Sequence, residues 1–236
     1  MQKIININKD FHIYERLKYI EKYLQKDILT ILDIGSWHLQ QSIEFSLTFK
    51  DAKIFAFEPC KKNFELCKKN LNNTGYEQQN NIKIFNFALS NKNEVIPFYR
   101  SEENPGATSK YKFNENQEKF FNKKWYQNEC FFVQALKLDD WVLENNINEV
   151  DIIWIDVQGG ELDVFKGAKE ILKKTKFIFT EVGLEPYYDG QSLKQEIDVF
   201  LENENFTELK ESFQLNGVLC EANTIYVNKN IFLDKL

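Results

Sequence analysis

The sequence contains Ile31-Leu-Asp-Ile-Gly-Ser-Trp-His-Leu-Gln-Gln-Ser42, an apolar run that ends in an acid and a glycine and then becomes helical. The run from Ile28 to Ile34 has the length and the β-branched content of a strand that is buried on both faces. A glycine turn and a helix after such a strand are typical of the first βα unit of a doubly wound sheet. We therefore predict an α/β protein whose ligand site lies at the carboxyl ends of parallel strands.

Two acids mark the first two predicted strand ends. Asp33 and Gly35 follow the first strand, where the missing Cβ of Gly35 lets a ligand approach the backbone, and where Asp33 can bind a cationic group or hold the loop. The next apolar run, Ile54-Phe-Ala-Phe-Glu58, also closes on a carboxylate. An acid about 20 residues beyond the first glycine turn usually binds a pair of ribose hydroxyls. Glu58 is therefore predicted to bind a nucleoside ribose.

Two later apolar runs repeat this pattern. Asp151-Ile-Ile-Trp-Ile-Asp156 and Phe177-Ile-Phe-Thr-Glu181 each end in an acid. A single acid of this kind is as often a cap for the following helix as a ligand contact. Together with Asp33 and Glu58, however, four strand ends bring four carboxylates to one edge of the sheet, and this convergence favours a binding site.

The remaining hydrophobic patterns predict the rest of a Rossmann-like, doubly wound α/β fold with a mostly parallel sheet. A helix over about 11–25 is expected to cap the sheet. Pro97 suggests that the strand over Val95–Arg100 is an edge strand. The chain is predicted to form one domain over 1–236, with an N-terminal capping helix in 1–27 and an antiparallel C-terminal strand pair over about 206–213 and 224–227. Further helices are predicted from Pro59 to Asn72, over 138–144, from Glu161 to about Lys173 and around Leu193–Leu201, and a third strand over Ile82–Ala88.

The segment 101–130 is the least regular part of the sequence. It is rich in Asn, Lys and Glu and contains Asn104-Pro-Gly-Ala-Thr-Ser109. Loops of this length in compact domains are usually functional lids or disordered excursions. Its aromatic residues favour a partly ordered flap near the substrate, and exposed aromatics there can also serve a homo-oligomer interface.

Composition excludes several classes of protein. The chain has 236 residues with 43% hydrophobic content, which is ample for a packed core. Its net charge of -6 argues against a nucleic acid partner, because affinity for phosphate backbones needs a basic stripe. The four cysteines form no CxxC pair and are expected to be free thiols in a reducing compartment. No apolar signal core and no run of membrane-spanning length are present, so we expect a cytoplasmic protein without membrane insertion.

A metal site receives little support from the sequence. The chain has 2 histidines and lacks ligand spacing typical of transition metals. Its hard carboxylates could bind at most Mg²⁺ or Ca²⁺. We therefore predict no metal site.

The ribose acid alone leaves the cofactor open. Nicotinamide cofactors and S-adenosylmethionine (SAM) both present a ribose diol. The segment Gly35-Ser-Trp-His-Leu-Gln-Gln offers no second or third glycine for the approach of a pyrophosphate, which argues mildly against a dinucleotide.

Eight short segments of the sequence form a recognisable set of motifs. They are Leu32-Asp-Ile-Gly35, Ala56-Phe-Glu-Pro59, Ala88-Leu-Ser90, Leu138-Asp-Asp140, Ile155-Asp-Val-Gln-Gly-Gly-Glu-Leu162, Phe165-Lys-Gly-Ala168, Thr180-Glu-Val182 and Tyr188-Asp-Gly-Gln191. With these segments the sequence resembles the FkbM-type SAM-dependent methyltransferases over most of its length, from about 30 to 227. The most specific block is Asp-Val-x-Gly-x-Glu-Leu with its Lys-Gly-Ala follow-up, and the order of all blocks agrees. Three positions depart from the common family pattern, which has Asn at Trp37, Gly at Leu39 and, in many members, Glu at Gln158.

This resemblance implies a class I methyltransferase fold with a seven-stranded sheet, and SAM as the methyl donor. The loop from Asp33 to Ser36 would hold the amino acid end of SAM, Glu58 its ribose, and the turn from Asn86 to Ser90 its adenine. The residues so assigned to cofactor binding are Asp33, Gly35, Ser36, Glu58, Pro59, Asn86, Ala88, Ser90 and Asp156.

Asp156 is the first candidate for the base that takes the proton of an acceptor hydroxyl, or for the group that orients this hydroxyl, because it is expected beside the transferred methyl group. Glu161 and Glu181 follow as candidates. His38 lies in the predicted cofactor loop, and its ordinary pKa near 6.5 suits a base, although an ordinary loop residue is the favoured interpretation.

Three functions remain open at this point. The leading hypothesis is an O-methyltransferase for a sugar hydroxyl of a polysaccharide, glycolipid or secondary metabolite, the acceptor class being implied by the resemblance. A nicotinamide-dependent oxidoreductase is disfavoured by the glycine pattern and by the lack of a Tyr-x-x-x-Lys set. A non-catalytic module that binds SAM or a glycan is the third, motivated by Trp37 and Leu39.

Overall fold

A computed structural model describes residues 7–24 and 29–232 of the chain. None of the helices in this described part is long and apolar enough to cross a membrane. The strands are β1 (Thr30–Ile34), β2 (Lys53–Phe57), β3 (Ile82–Phe85), β4 (Ala88–Leu89), β5 (Glu94–Arg100), β6 (Glu129–Leu136), β7 (Val150–Ile155), β8 (Thr175–Gly183), β9 (Phe206–Glu208), β10 (Gln214–Leu215) and β11 (Glu221–Asn228). The α-helices are α1 (Tyr14–Leu17), α2 (Gln40–Thr48), α3 (Lys61–Asn72), α4 (Tyr76–Asn81), α5 (Asn116–Phe121), α6 (Leu138–Glu144), α7 (Glu161–Lys166), α8 (Lys169–Leu172), α9 (Lys194–Asn203) and α10 (Lys229–Phe232).

The main sheet has the order β10-β11-β8-β7-β1-β2-β3. Strands β1, β2, β3, β7 and β8 are parallel to one another, and β11 runs antiparallel to β8. Strand order reverses beside β1, which pairs with β2 on one side and with β7 on the other. Ligands of such sheets bind at this switch point. The predicted doubly wound, mostly parallel fold is therefore confirmed.

The C-terminal edge of the sheet has one strand more than predicted. Both β9 and β10 pair antiparallel with β11, so the predicted antiparallel pair is confirmed and the sheet has 8 strands instead of seven. A 3-10 turn at Lys210–Ser212 interrupts the single strand predicted over 206–213. The Ser212 hydroxyl accepts the backbone N–H of Ile225 at 3.0 Å, and this bond ties the interruption to β11.

The central strands are apolar because both of their faces are covered. All residues of β7 are buried, and neighbours in sequence pack on opposite sides of the sheet. Ile152 lies in the core beneath α1 and α2, whereas Ile153 lies in the core formed with α6, α7 and α9. The central strands are therefore continuous apolar runs in the sequence because each of them contributes side chains to two cores, one on each face of the sheet.

A smaller sheet, β4-β6-β5, stands beside the main one. Strand β4 is parallel to β6, and β5 pairs antiparallel with β6 on its outer side. Pro97 thus lies on an edge strand, as predicted, where its missing N–H breaks no ladder.

The predicted N-terminal helix over 11–25 is wrong in its extent. The chain forms only α1 and a 3-10 turn at Glu21–Tyr23, while Ile13, Leu17 and Ile20 are fully buried against the sheet. Burial of these side chains on the sheet surface outweighs the weak preference for a continuous helix. Residues 1–6 and 25–28, which belong to the predicted 1–27 segment and the start of the first strand, lie outside the described residues.

The helix predicted from Glu161 to about Lys173 is also divided, into α7 and α8. Gly167 separates the two, and a Cβ on this residue would overlap the backbone carbonyl oxygen of Ser90. The close approach of the loop after β4 therefore requires a glycine there, and glycine favours a helix end.

Candidate active site

Two adjoining cavities open at the carboxyl ends of the parallel strands. The walls of the inner cavity include Phe57, Glu58, Pro59, Leu89 and Lys110. The walls of the outer cavity include Trp125, Glu181, Tyr187, Asn216 and Glu221. The residues that line both cavities are Gly35, Trp37, Gly106, Asp156 and Gln158.

Glu58 follows β2 and is buried in the wall of the inner cavity. Its carboxylate accepts the backbone N–H of Trp37 at 2.9 Å and that of Cys60 at 2.8 Å. Burial raises its pKa to about 8, although these two bonds favour the charged form. The predicted ribose acid thus also joins the loop after β1 to the start of α3.

Gly35 has a second role that the sequence does not predict. Its φ is +90°, and a Cβ would overlap the backbone carbonyl oxygen of Asp156. The missing Cβ therefore admits a neighbouring backbone, that of the loop after β7. This approach places Asp156 in the wall between the two cavities.

Asp33 and Ser36 are buried behind the same loop, outside the lining of both cavities. Asp33 accepts the hydroxyl of Ser42 at 2.5 Å, and the Ser36 hydroxyl donates to the backbone carbonyl of Asp33 at 3.0 Å. Burial raises the pKa of Asp33 to about 6. Of the two roles considered for Asp33, this geometry favours holding the loop.

The predicted adenine turn contributes its middle to the inner cavity. Residues 87–89 line the cavity, whereas Asn86 and Ser90 lie outside the lining. The Asn86 amide donates to the backbone carbonyls of Glu58 and Pro59 at 2.9 and 3.0 Å. Asn86 therefore shapes the wall of the cavity from behind.

His38 and Glu161 also lie outside the lining of both cavities. The His38 ring packs on the Trp37 ring with centroids 4.0 Å apart, and burial lowers the pKa of the imidazole. Glu161 accepts the backbone N–H groups of Val157 and Gly159 at 3.0 and 3.3 Å, and burial raises its pKa to about 7. Glu161 thus holds a loop, and of the four predicted candidate bases Asp156 and Glu181 are the two that line the outer cavity.

Asp156 and Glu181 share one amide. The side-chain Nε2 of Gln158 donates to Asp156 Oδ1 at 2.7 Å and to Glu181 Oε2 at 3.3 Å. The hydroxyl of Tyr188 in turn lies 2.8 Å from Gln158 Oε1, which fixes the orientation of the amide. Gln158 thus supplies a donor that a glutamate at the same position would lack.

A second amide extends this row. Asn216 Nδ2 donates to Glu181 Oε1 at 2.6 Å and to Glu221 Oε1 at 3.1 Å, and the Tyr187 hydroxyl donates to Glu221 Oε2 at 2.7 Å. Burial, followed by repulsion from Asp156 and Glu221, raises the pKa of Glu181 well above its ordinary value. We call the alternating series Asp156, Gln158, Glu181, Asn216 and Glu221 the acid-amide row.

Sequence reasoning missed the far half of the acid-amide row. Strand β11 runs antiparallel to β8, and Glu221 at its start pairs with Gly183 at the end of β8. Because β11 runs in the opposite direction, its first residue, Glu221, lies at the same edge of the sheet as the residues that end the parallel strands. An acid before the final strand was the available signal, whereas Asn216 was predicted only as part of a turn.

Arg16 was missed as well. It lies half-buried on the ring of Trp154, with Cζ 4.3 Å from the ring centroid, and its guanidinium donates to the side chain of Asn223. Burial lowers its pKa to about 10, while Glu181 and Asp156 act in the opposite direction. Since arginine remains charged, Arg16 provides a fixed positive charge behind these two acids.

The departures from the family pattern coincide with unusual backbone. Trp37, Leu39 and Gln158 have φ angles of 46°, 73° and 55°. Asn and Gly, the common family residues at the first two positions, adopt this left-handed region most easily. The chain accepts strain there, while Leu39 is fully buried and Trp37 forms part of the wall between the cavities.

The flap predicted over 101–130 covers this site. It contains a 3-10 turn at Pro105–Ala107 and α5, and its aromatic residues pack on the loop after β8. The rings of Phe113 and Tyr188 stack with centroids 5.0 Å apart. The Tyr188 hydroxyl is also 3.1 Å from the backbone carbonyl of Ala107, so this buried tyrosine joins the flap to the acid-amide row.

Tyr188→Phe should therefore loosen the flap. The change leaves the carbonyl of Ala107 and the amide oxygen of Gln158 without this donor, and we expect the free energy of unfolding to fall by about 1–3 kcal/mol. Limited proteolysis should cleave within 101–129 faster than in the wild type. Tyr76→Phe, at a position that is 81% exposed, is the control and should change neither quantity. Unchanged cleavage in Tyr188→Phe would contradict this role.

The buried acids make stability depend on pH. Folding raises the pKa of Glu58 from 4.5 to about 8, so the folded state binds more protons than the unfolded chain between these values. The stabilisation that protonated Glu58 contributes is therefore complete below pH 4.5, and it is lost as pH rises through 8. Denaturant unfolding should thus show decreasing stability from about pH 5 to 9, with a shallower decrease in Glu58→Gln. Glu65→Gln, at an exposed position, should keep the wild-type slope.

Among residues 7–24 and 29–232, no group of three or more His, Cys, Asp or Glu side chains is arranged to hold a metal ion.

Comparison with known proteins adds sequence and fold relatives. A family model described as the methyltransferase FkbM domain matches residues 35–208. The chain is 30% identical over 178 residues to the 2-O-methyltransferase NoeI of Sinorhizobium fredii (strain NBRC 101917 / NGR234), a match that covers 74% of this chain and 71% of that protein.

Two solved structures are similar in fold. The METTL16 methyltransferase domain has a TM-score of 0.52 at 12% identity, with 90% of this chain and 67% of that chain covered. The N-terminal domain of human METTL16 in complex with SAH has a TM-score of 0.51 at 13% identity, with 92% and 68% covered. At such low identity these similarities show the class I methyltransferase fold alone.

Proposed function

Because this chain belongs to the FkbM methyltransferase family, we propose that it transfers a methyl group from SAM to a hydroxyl oxygen of a sugar. The observation that carries the proposal is the arrangement of two cavities that meet at Asp156, one suited to a nucleoside and one lined by polar and aromatic groups. The name of NoeI, a 2-O-methyltransferase, supports oxygen as the methylated atom.

The inner cavity fits SAM by the chemistry of its walls. Glu58 offers a carboxylate for ribose hydroxyls, and Phe57 with residues 87–89 offers apolar surface for a base. Asp156, at the far end, offers negative charge where a positively charged sulfur would lie. SAM, when bound, supplies a methyl group on such a sulfur. Gly160, also in the walls, is available to its carboxylate.

Asp156 is the residue we assign to the acceptor hydroxyl. Methyl transfer needs the acceptor oxygen in line with the methyl group, and the oxygen must lose its proton. Asp156 reaches both cavities, and its Oδ1 is fixed by the amide of Gln158. Burial raises its pKa, which brings the carboxylate closer to the range in which a base accepts a proton efficiently. Glu181, joined to Asp156 through Gln158, is the alternative base.

A sugar fits the outer cavity because its surface combines flat apolar faces with many hydroxyl groups. Phe121, Trp125 and Tyr187 provide aromatic surface for such faces. The acid-amide row provides acceptors for hydroxyl groups. These are the two kinds of contact that a neutral, polyhydroxylated ligand needs.

The proposal is tested by two measurements on the full chain. Calorimetry should detect binding of SAM and SAH and little binding of NAD. Product SAH should then form when SAM is incubated with a panel of mono- and oligosaccharides, and mass spectrometry should find the methyl group on oxygen. Tight binding of SAM without transfer to any hydroxyl compound would favour a non-catalytic module, and NAD binding without a response to SAM would favour an oxidoreductase.

A further inference from the structure

The outer cavity has an unbalanced set of charges. Three carboxylates line it, those of Asp156, Glu181 and Glu221, and no Lys or Arg belongs to the lining among the residues that the structure describes. Within the row the carboxylates are separated only by neutral amides. Arg16 offsets part of the Coulomb repulsion between them from behind, but no cation does so from the cavity lining of the described residues.

The nearest cations do not face this cavity. Lys110 lines the inner cavity only, and its ammonium is paired with Asp163. Arg16 lies half-buried on Trp154, and its guanidinium is outside the lining of both cavities. A carboxylate or phosphate in the outer cavity would thus lose water without gaining the charged donors that usually bind such groups.

The hydrogen-bonding capacity of the row is equally one-sided. The Nε2 of Gln158 already donates to two carboxylates, and the Nδ2 of Asn216 donates to two as well. The Tyr187 hydroxyl gives its hydrogen to Glu221. The donors of the row are therefore engaged, whereas its carboxyl oxygens retain further acceptor sites. The row calls for a ligand that donates hydrogen bonds, and a protonated amine donates three without accepting any.

We propose that the acceptor pocket selects a sugar that carries a protonated amino group and rejects sugars that carry a carboxylate or a phosphate. This inference rests on the proposed function, because it specifies the acceptor of the same site. The amine lies against Glu181 and Glu221, which leaves Asp156 for the hydroxyl that is methylated. A neutral sugar, which supplies donors but no charge, binds with intermediate affinity.

The test compares four matched sugars: glucosamine, glucose, glucuronate and glucose 6-phosphate. Saturation-transfer NMR titrations with the SAH-loaded protein, at a pH where the amine is protonated, should give tightest binding for glucosamine, with at least about tenfold weaker binding for glucose. The two anionic sugars should bind more weakly still. Equal or tighter binding of an anionic sugar overturns the inference, as does the absence of binding by all four.

A pair of variants isolates the contribution of the row. Glu221→Gln removes one charge from the cavity, and the preference for glucosamine over glucose should fall about tenfold. Glu185→Gln removes the same charge from an exposed position in the loop after β8, outside the lining, and should keep the wild-type preference. An equal effect of the two variants would overturn the inference, because the preference would then reflect net charge alone.

The inference and the proposed function fail in different ways. If the binding order holds but SAM is not consumed with any of the bound sugars, the proposed transfer is wrong and the pocket preference stands. If a neutral sugar is methylated on oxygen and glucosamine binds no better, the transfer stands and the charge preference is wrong.

Discussion

Gly35→Ala should destabilise the protein severely and abolish binding of SAH. A Cβ at this position would overlap the carbonyl oxygen of Asp156, which is backbone and cannot rotate away. The φ of +90° adds strain that an alanine does not tolerate well. Overpacking and backbone strain together should lower the free energy of unfolding by about 3–5 kcal/mol. Denaturant unfolding and calorimetry with SAH are the measurements.

Gly217→Ala separates the two contributions. Gly217 also has a positive φ, +76°, but a Cβ there meets no atom within 4 Å. Backbone strain alone should then lower stability by about 1 kcal/mol and leave SAH binding intact. If both alanine variants lost the same amount, the contact between the loops after β1 and β7 would not be the reason for glycine at position 35.

The two roles of Gly35 illustrate what the sequence can and cannot predict. The apolar run before it locates β1, and the glycine marks the turn, because both depend on neighbours along the chain. The atom that forbids a side chain belongs to Asp156, more than a hundred residues away, and no local pattern reveals this contact. The same limit explains Gly167, whose partner is the carbonyl of Ser90.

The same limit separates the site residues that the sequence could predict from those that it could not. Glu58, Asp156 and Glu181 could be found because each ends a continuous apolar run, and parallel strands present their carboxyl ends at one edge. Glu221 begins a strand instead of ending one, so the rule that found the others passed over it. Arg16 reaches Trp154 from a short N-terminal helix, and this position follows from tertiary packing that hydrophobic periodicity does not contain.

The family departures show how sequence and structure complement each other. A comparison of motifs identifies Trp37 and Leu39 as unusual, but it assigns them no physical consequence. The structure gives both a left-handed backbone, which explains why Asn and Gly are common there. It also gives Trp37 a position in the walls of both cavities, so that the same residue that strains the loop contacts both spaces.

Asp156→Asn should reduce kcat for methyl transfer by about 10²–10⁴-fold, the usual contribution of a positioned base. Asparagine keeps the shape of the side chain and an oxygen that accepts the amide of Gln158, but it cannot take a proton. Stability should not fall, since desolvation raises the pKa of Asp156 and the variant removes a charge that this environment disfavours. Product SAH formation and thermal unfolding are the measurements.

Two matched variants test whether kcat falls in Asp156→Asn because the base has been removed. Glu181→Gln removes the other candidate that faces the outer cavity, and Glu161→Gln removes a buried acid outside both cavities. We expect Glu181→Gln to weaken acceptor binding more than kcat, and Glu161→Gln to lower stability, because Glu161 holds the backbone of Val157 and Gly159. In the wild type the rate should rise with pH as Asp156 loses its proton, and this rise should vanish in Asp156→Asn. If it persists there and vanishes in Glu181→Gln, the proton of the acceptor goes to Glu181, and Asp156 serves to orient the hydroxyl.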